Sequence, residues 1–373
     1  MAAARIKPIM MPKWGLTMTE GKVTSWRKNV GDAVAVGDEI LEVETDKIAS
    51  VVEASDTGKL RRVLGEVDAV YPVKALIGVL ADDDVSDEEI DAYVVSYVMP
   101  VAEGGQGAAA AGPLYEFVET AAGRIRYAKR GEGGETVLLV HGFGGDLDNW
   151  LFNIDALAEK ATVYAFDLPG HGQSSKTIAE PSLAGLSHAL VGLMNAVGIA
   201  NAHVVGHSIG GAVAMQTALD VPDRVKSLTL ICSAGLGPEI NSAYLDGYVK
   251  ATSRRDLRPV LEQLFADPKL VSRQLVDDAL KYKRIDGVTE ALRRFQSNLF
   301  EDGKQRTDPA PLLQRVACPV LVIWGEKDNI IPVSHAHALA DKARAEIVPG
   351  AGHMVQMEKA GRVNELILAQ IGA

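Results

Sequence analysis

Gly206-His207-Ser208-Ile209-Gly210 lies between an apolar run and a helix-forming stretch. Glycines two residues either side of the serine allow a strained turn that pushes its hydroxyl out at a helix start. Ser208 is therefore a candidate nucleophile, and a serine nucleophile needs a base and an acid to orient that base. In a strand-turn-helix architecture these follow in the order serine, acid, histidine, each just beyond a strand. Asp328 comes after Val322-Ile323-Trp324-Gly325, and His353 closes Gly350-Ala351-Gly352-His353, which gives that order. Glu326 is the competing, less favoured acid. The developing oxyanion needs two backbone N–H donors. Ile209 supplies one, and Phe143 in His141-Gly142-Phe143-Gly144-Gly145 supplies the other. His141 is expected to brace its loop, and His171 in Asp167-Leu168-Pro169-Gly170-His171 to be structural. His207, His335 and His337 lack such a strand-end setting, and the last two are expected on the surface of a helix-like segment. No metal is expected.

These residues need a sheet whose strand ends converge. Strand-like runs are read at 115–119, 124–129, 136–140, 162–166, 202–206, 227–232, 320–324 and 345–348, with helical stretches such as 183–197 between the later ones. An opening hairpin followed by β-α alternation predicts a mixed, mostly parallel sheet covered by helices on both faces. A largely helical block, about 239–313, interrupts the alternation and is read as a cap over the C-terminal strand ends. Arg254 and Arg255 in this block are expected on a solvated helix face, with coenzyme A phosphates as the alternative partner. The two cysteines, Cys232 and Cys318, are too few for a disulfide framework, so both are read as buried thiols in a reducing compartment.

The set H-G-F-G-G, D-L-P-G-H-G-Q-S, G-H-S-I-G-G, G-E-K-D and G-A-G-H resembles the α/β-hydrolase family over residues 113–373. That fold hosts many reactions, so it does not name one. The serine at 208 sets the chain apart from members with aspartate there.

Residues 1–80 read as a small all-β module of Val-rich, period-2 segments punctuated by Gly and Asp. A weak repeat of about 35 residues matches Val30-Gly31-Asp32 with Leu64-Gly65-Glu66, Val36 with Val70, and 40–43 with 76–79. Two such units predict a flattened barrel with pseudo-twofold symmetry. Glu44-Thr45-Asp46-Lys47-Ile48 interrupts two apolar runs and reads as a hairpin tip. It resembles the lipoylation motif E-T-D-K-A, and Met11-Pro12-Lys13-Trp14-Gly15 and Gly31-Asp32 are also similar to lipoyl domains. The resemblance implies lipoic acid bound covalently to Lys47; Ile48 replaces the usual alanine. Ser86-Asp87-Glu88-Glu89 reads as a capping box opening one short helix. Residues 100–112, rich in Gly and Ala, form a linker that spans at most about 45 Å. The domains are thus 1–80, 81–112 and 113–373.

A lipoyl domain fused to an α/β-hydrolase fold resembles the dihydrolipoyl acetyltransferase (E2) components of acetoin dehydrogenase complexes. The resemblance implies acetyl transfer from the arm on Lys47 to coenzyme A as co-substrate. Its implied partners are a thiamine-diphosphate-dependent acetoin dehydrogenase E1, a dihydrolipoyl dehydrogenase E3, and further copies of the chain. Unlike 2-oxo-acid dehydrogenase E2 chains, the sequence has no C-terminal H-x-x-x-D-G motif and no peripheral-subunit-binding domain within 82–112. The alternative is a serine esterase or thioesterase that carries the lipoyl domain as a docking tag. With 373 residues, 47% hydrophobic and 23% charged, the chain is globular in composition rather than disordered. A net charge of −11 argues against nucleic acid and anionic membranes as partners. No secretory signal or long apolar run is found, and a cytoplasmic location is expected.

Overall fold

The computed structural model describes residues 5–14, 18–45, 49–97, 115–306 and 318–373. The chain divides into two units, Met1–Pro113 and Leu114–Ala373.

In the first unit, short Val-rich segments bounded by Gly and Asp turns form β1 (Ile6–Met10), β2 (Glu20–Trp26), β3 (Ala33–Val34), β4 (Glu39–Glu44), β5 (Ala49–Glu53), β6 (Gly58–Val63), β7 (Val70–Pro72) and β8 (Leu76–Ala81). They make two antiparallel sheets, ordered β1-β8-β6-β3 and β5-β4-β2-β7. Strand for strand the orders coincide when β5, β4, β2 and β7 take the places of β1, β8, β6 and β3. Met11, Ile40, Leu41, Leu60 and Ile77 fill the space within this unit and are almost wholly buried.

The pseudo-symmetry expected from the repeat is present, but its alignment differs. Ala33 to Val70 and Glu39 to Leu76 are each 37 residues apart. Ala33, not Val36, is thus the mate of Val70. Val36 lies beyond the end of β3 and is exposed, so it carries no packing constraint that would hold it in register.

α1 (Asp87–Ser96) follows, opened by the expected capping box: Glu89 N–H donates to Ser86 Oγ at 3.2 Å and Ser86 N–H to Glu89 Oε2 at 2.9 Å. Ile90 is fully buried on its inner face. Arg61 and Arg62 of β6 reach Asp87 and Asp91 of the helix, at 2.8 Å each.

The second unit opens with β9 (Glu116–Thr120), β10 (Gly123–Arg130) and β11 (Thr136–Val140). Then come α2 (Ile154–Ala158), β12 (Thr162–Phe166), α3 (Leu183–Ala196), β13 (Ala202–His207), α4 (Ile209–Asp220) and β14 (Val225–Ile231). An insertion holds α5 (Ser242–Lys250), α6 (Arg254–Leu261), α7 (Arg273–Lys283), α8 (Val288–Leu299) and the small hairpin β15 (Phe300–Glu301) and β16 (Lys304–Gln305). β17 (Val320–Gly325), β18 (Ala343–Val348), α9 (Val355–Glu358) and α10 (Ala360–Ile371) complete the chain.

The eight-stranded sheet runs β18-β17-β14-β13-β11-β12-β10-β9. β9 and β10 pair antiparallel at one edge, and the other pairings beyond β12 are parallel. β13 and β17 are buried along their whole length, as continuous apolar strands in the middle of a covered sheet should be. The hairpin closes the insertion on itself: Ile240 N–H donates to Gly303 C=O at 3.0 Å and Gln305 N–H to Pro238 C=O at 2.7 Å.

Trp324, fully buried in β17, donates its indole N–H to Ile331 C=O at 3.3 Å. Trp324→Ala leaves a cavity and an orphaned carbonyl, and is expected to cost about 3–5 kcal/mol. A urea titration that follows unfolding of this unit checks it. Both cysteines are free; Cys232 is buried, whereas Cys318 is only half-buried, because it precedes β17 instead of lying within the sheet. No helix among the described residues is long and apolar enough to cross a membrane.

Candidate active site

β13 ends at His207 and α4 begins at Ile209, leaving Ser208 alone to turn the chain. Its backbone sits at φ 56°, ψ −123°, a strained conformation for a residue with a side chain. The strain is held from both sides: Ser208 N–H donates to Ile231 C=O at 2.9 Å, and its C=O accepts from Ala234 N–H at 2.9 Å. The flanking glycines are required because the strand and helix cross closely. A Cβ at Gly206 would stand 2.3 Å from Gly210 O, and one at Gly210 would stand 2.2 Å from Val140 O.

Asp328 follows β17 and His353 follows β18, neighbouring parallel strands, so residues 25 apart in sequence meet beyond the sheet edge. His353 Nδ1 lies 2.8 Å from Asp328 Oδ2, with both side chains essentially unexposed. Asp328 Oδ1 accepts from Ile330 and Ile331 N–H at 2.8 and 3.0 Å. Burial alone would raise this carboxyl. The charge and hydrogen bond of His353 and the two N–H groups outweigh it and hold Asp328 below its ordinary value. An ionised acid here fixes the proton of His353 on Nδ1 and leaves Nε2 free to accept one. Glu326 is exposed and instead accepts from Gly350 N–H at 3.0 Å.

Ser208 and His353 line one cavity, and so do Phe143 and Ile209. The loop after β11 passes tightly by the serine: a Cβ on Gly142 would stand 3.0 Å from Ser208 Cβ. His141 braces that loop, with Nδ1 2.8 Å from Gly142 O and Nε2 accepting Leu168 N–H at 3.0 Å. His171 is buried at 3.1 Å from Pro169 O. Apolar residues of the insertion, among them Leu245, Leu261, Leu275 and Phe300, wall the far side of the cavity.

Four residues take places that the sequence reading did not give them. His335 is buried instead of lying on a surface: its Nε2 is 2.7 Å from Glu239 Oε2 and its ring meets the edge of Trp324. His337, two residues on, is exposed. His207 lies against the base, its Nε2 2.9 Å from His353 O, and burial pushes it down to about 3, so it stays neutral and donates this bond. Tyr248 of α5 donates its hydroxyl to Gly144 C=O at 2.8 Å, gripping the loop that carries Phe143. Glu358 of α9 supports the loop that carries His353. The partners of His335, His207 and Tyr248 are all distant in sequence or unmarked by any motif, so none of these contacts has a local signature.

Cys232 Sγ, Asp328 and His353 place potential ligand atoms within 4.8 Å of one another. Burial holds the thiol well above its ordinary value, so it is a protonated packing group behind the acid-base pair. Arg254 is committed to Asp277, with 2.7 Å between Nη2 and Oδ2. Lys47 lies outside the described residues. Its neighbours are informative: β4 and β5 pair with Glu44 opposite Ala49, so four residues join the two strands at the sheet end.

Residues 135–360 match the family model described as alpha/beta hydrolase fold, and residues 7–80 match the biotin/lipoyl model described as Biotin-requiring enzyme. The chain is 52% identical over 367 residues to the dihydrolipoyllysine-residue acetyltransferase component of the acetoin cleaving system of Cupriavidus necator, covering 98% of each. It is 48% identical over 368 residues to the component of the same name from Pseudomonas putida, again 98% of each. Among solved structures, a meta-cleavage product hydrolase of Pseudomonas fluorescens superposes with TM-score 0.63 at 25% identity, over 69% of this chain and 97% of that one.

Proposed function

Given that the chain belongs to the family of dihydrolipoyllysine-residue acetyltransferase components of acetoin cleaving systems, we propose that Ser208, His353 and Asp328 pass the acetyl group to coenzyme A. The observation that carries this reading is the Asp328–His353 pair at 2.8 Å behind a cavity that Ser208 shares, in a chain whose other unit is of lipoyl type.

Lipoate bound at Lys47 supplies a thiol that presents the acetyl group as a thioester. His353 Nε2 takes the Ser208 proton as the hydroxyl oxygen attacks the acetyl carbonyl. Asp328 keeps the imidazolium oriented and stabilised. The Phe143 and Ile209 N–H groups hold the oxyanion, and His353 then returns the proton to the departing thiol. In the second half His353 deprotonates the coenzyme A thiol, which takes the acetyl group from Ser208. The apolar wall from the insertion disfavours water as the competing acceptor. Coenzyme A as acceptor, a thiamine-diphosphate-dependent acetoin dehydrogenase E1, a dihydrolipoyl dehydrogenase E3, and self-association into a core belong to this proposal.

The test supplies the full chain with acetyl-dihydrolipoamide and coenzyme A and measures acetyl-CoA against free acetate. Acetyl-CoA as the dominant product supports the transferase; acetate alone makes the protein a thioesterase. Within this scheme Tyr248→Phe releases the oxyanion loop from one hydrogen bond, worth about 1 kcal/mol. A fall in kcat of about fivefold with little change in KM is expected, read from steady-state rates.

A further inference from the structure

The insertion and the base-bearing loop meet at one carboxylate. Glu358, the last residue of α9, is mostly buried, and each of its oxygens serves a different segment. Oε1 accepts Gly352 N–H at 2.8 Å, next to His353. Oε2 accepts Ala266 N–H at 2.8 Å, just past Leu264 and Phe265, which line the cavity. The two segments also touch directly: Met354 N–H donates to Leu264 C=O at 3.1 Å, and a Cβ on Gly352 would stand 2.6 Å from Ala266 N. Segment 264–266 and segment 352–354 thus form one wall with His353 in it.

We propose that Glu358 is a positioning residue whose carboxylate staples the cavity-lining segment 264–266 to the loop carrying His353 and so holds both in place for acyl transfer. The proposal rests on the reading of Ser208 and His353 as nucleophile and base.

The ionised carboxylate offers a separate oxygen to each of the two N–H groups at once. Burial pushes Glu358 up to about 7, against the pull of the two N–H groups, His353 and Lys359. The titratable and charged groups acting on it are therefore His353 of the base loop, Lys359 beside it in the chain, and the protonated thiol of Cys232 beyond β14. A carboxyl raised above its unfolded value binds its proton more tightly in the folded protein. Its contribution to stability is present below the unfolded value and is lost as pH rises through about 7. Any opening of this wall that exposes Glu358 therefore becomes easier as pH rises through about 7, and mild acid does not weaken the wall through this group.

The experiment uses the full chain and two readouts across the neutral range: the rate at which a fluorophosphonate labels Ser208, and amide exchange protection in peptides spanning 264–266 and 352–354. In the unaltered protein, protection of both segments should fall together as pH rises through about 7. Glu358→Gln keeps a single acceptor oxygen. It should label about tenfold more slowly at alkaline pH, the worth of one hydrogen bond to a charged group. Protection in both segments should no longer depend on pH in the variant. Protection that is independent of pH in the unaltered protein overturns the staple, whatever the variant does. Labelling of the variant at the unaltered rate overturns the link to catalysis. No labelling of the unaltered protein at any pH overturns the serine reading itself, a failure visible apart from the other two.

Discussion

Replacing Ser208 by alanine should lower acetyl transfer from acetyl-dihydrolipoamide to coenzyme A by about a million-fold, the scale of losing a nucleophile that acts as a unit with its base. The protein should still fold. Alanine has the same Cβ as serine, so the strain at φ 56° is unchanged, and the serine side chain makes no capping bond to α4. What remains should be the contribution of the oxyanion donors and binding, about a thousand-fold or more above the uncatalysed rate. Steady-state kcat/KM measures the loss. Acid-quenching the unaltered enzyme with acetyl donor and no coenzyme A should leave an acetyl mass on the peptide containing Ser208. A variant that keeps activity within tenfold would assign the chemistry to direct attack by a thiol activated at His353, with the serine hydroxyl reduced to a hydrogen-bond donor.

The second large effect concerns Lys47. Lys47→Arg keeps the charge but removes the primary amine on which the proposal places the amide with lipoate. Acetoin-dependent formation of acetyl-CoA by the assembled complex should fall to background, and mass spectrometry of the intact chain should show no lipoyl group. Transfer from free acetyl-dihydrolipoamide does not use that lysine and should continue. It should need donor at millimolar concentration, because a covalently joined carrier works at an effective concentration on the order of millimolar. Equal acetoin-dependent turnover in the two proteins would assign the carrier role to another residue or another chain.

The parts of the fold carried by local pattern were legible in the sequence. β11, β12 and the start of β13 were read at their observed bounds, since continuous apolar runs ended by Gly or Asp leave little freedom in placing a buried parallel strand. The order of Ser208, Asp328 and His353 was readable because each lies within five residues of a strand end. His335 was misread because a histidine in a short helical turn shows nothing of the Trp324 ring and Glu239 carboxylate that enclose it. Tyr248 and Glu358 left no trace either. Tyr248 meets Gly144 and Glu358 meets Ala266, backbone groups about a hundred residues away, and backbone donors and acceptors look alike at every position. A repeat in the first unit was legible, but its register was not: the matched Gly-acid turns lie 34 residues apart and 40–43 lies 36 from 76–79, whereas the paired strands lie 37 apart.

The matching strand orders of the first unit also govern how far its cargo can travel. The twofold mate of the β4–β5 connection, where Glu44 faces Ala49, is the place where Ala81 faces Ile6. There the chain is open: it enters at one strand and leaves by the other. The pseudo-twofold therefore exchanges the place where β4 passes to β5 with the place where β8 hands the chain on to α1. With lipoate carried on the β4–β5 connection, as proposed above, cargo and onward chain leave the unit at symmetry-exchanged places, and the span of the unit between them adds to the reach of the arm.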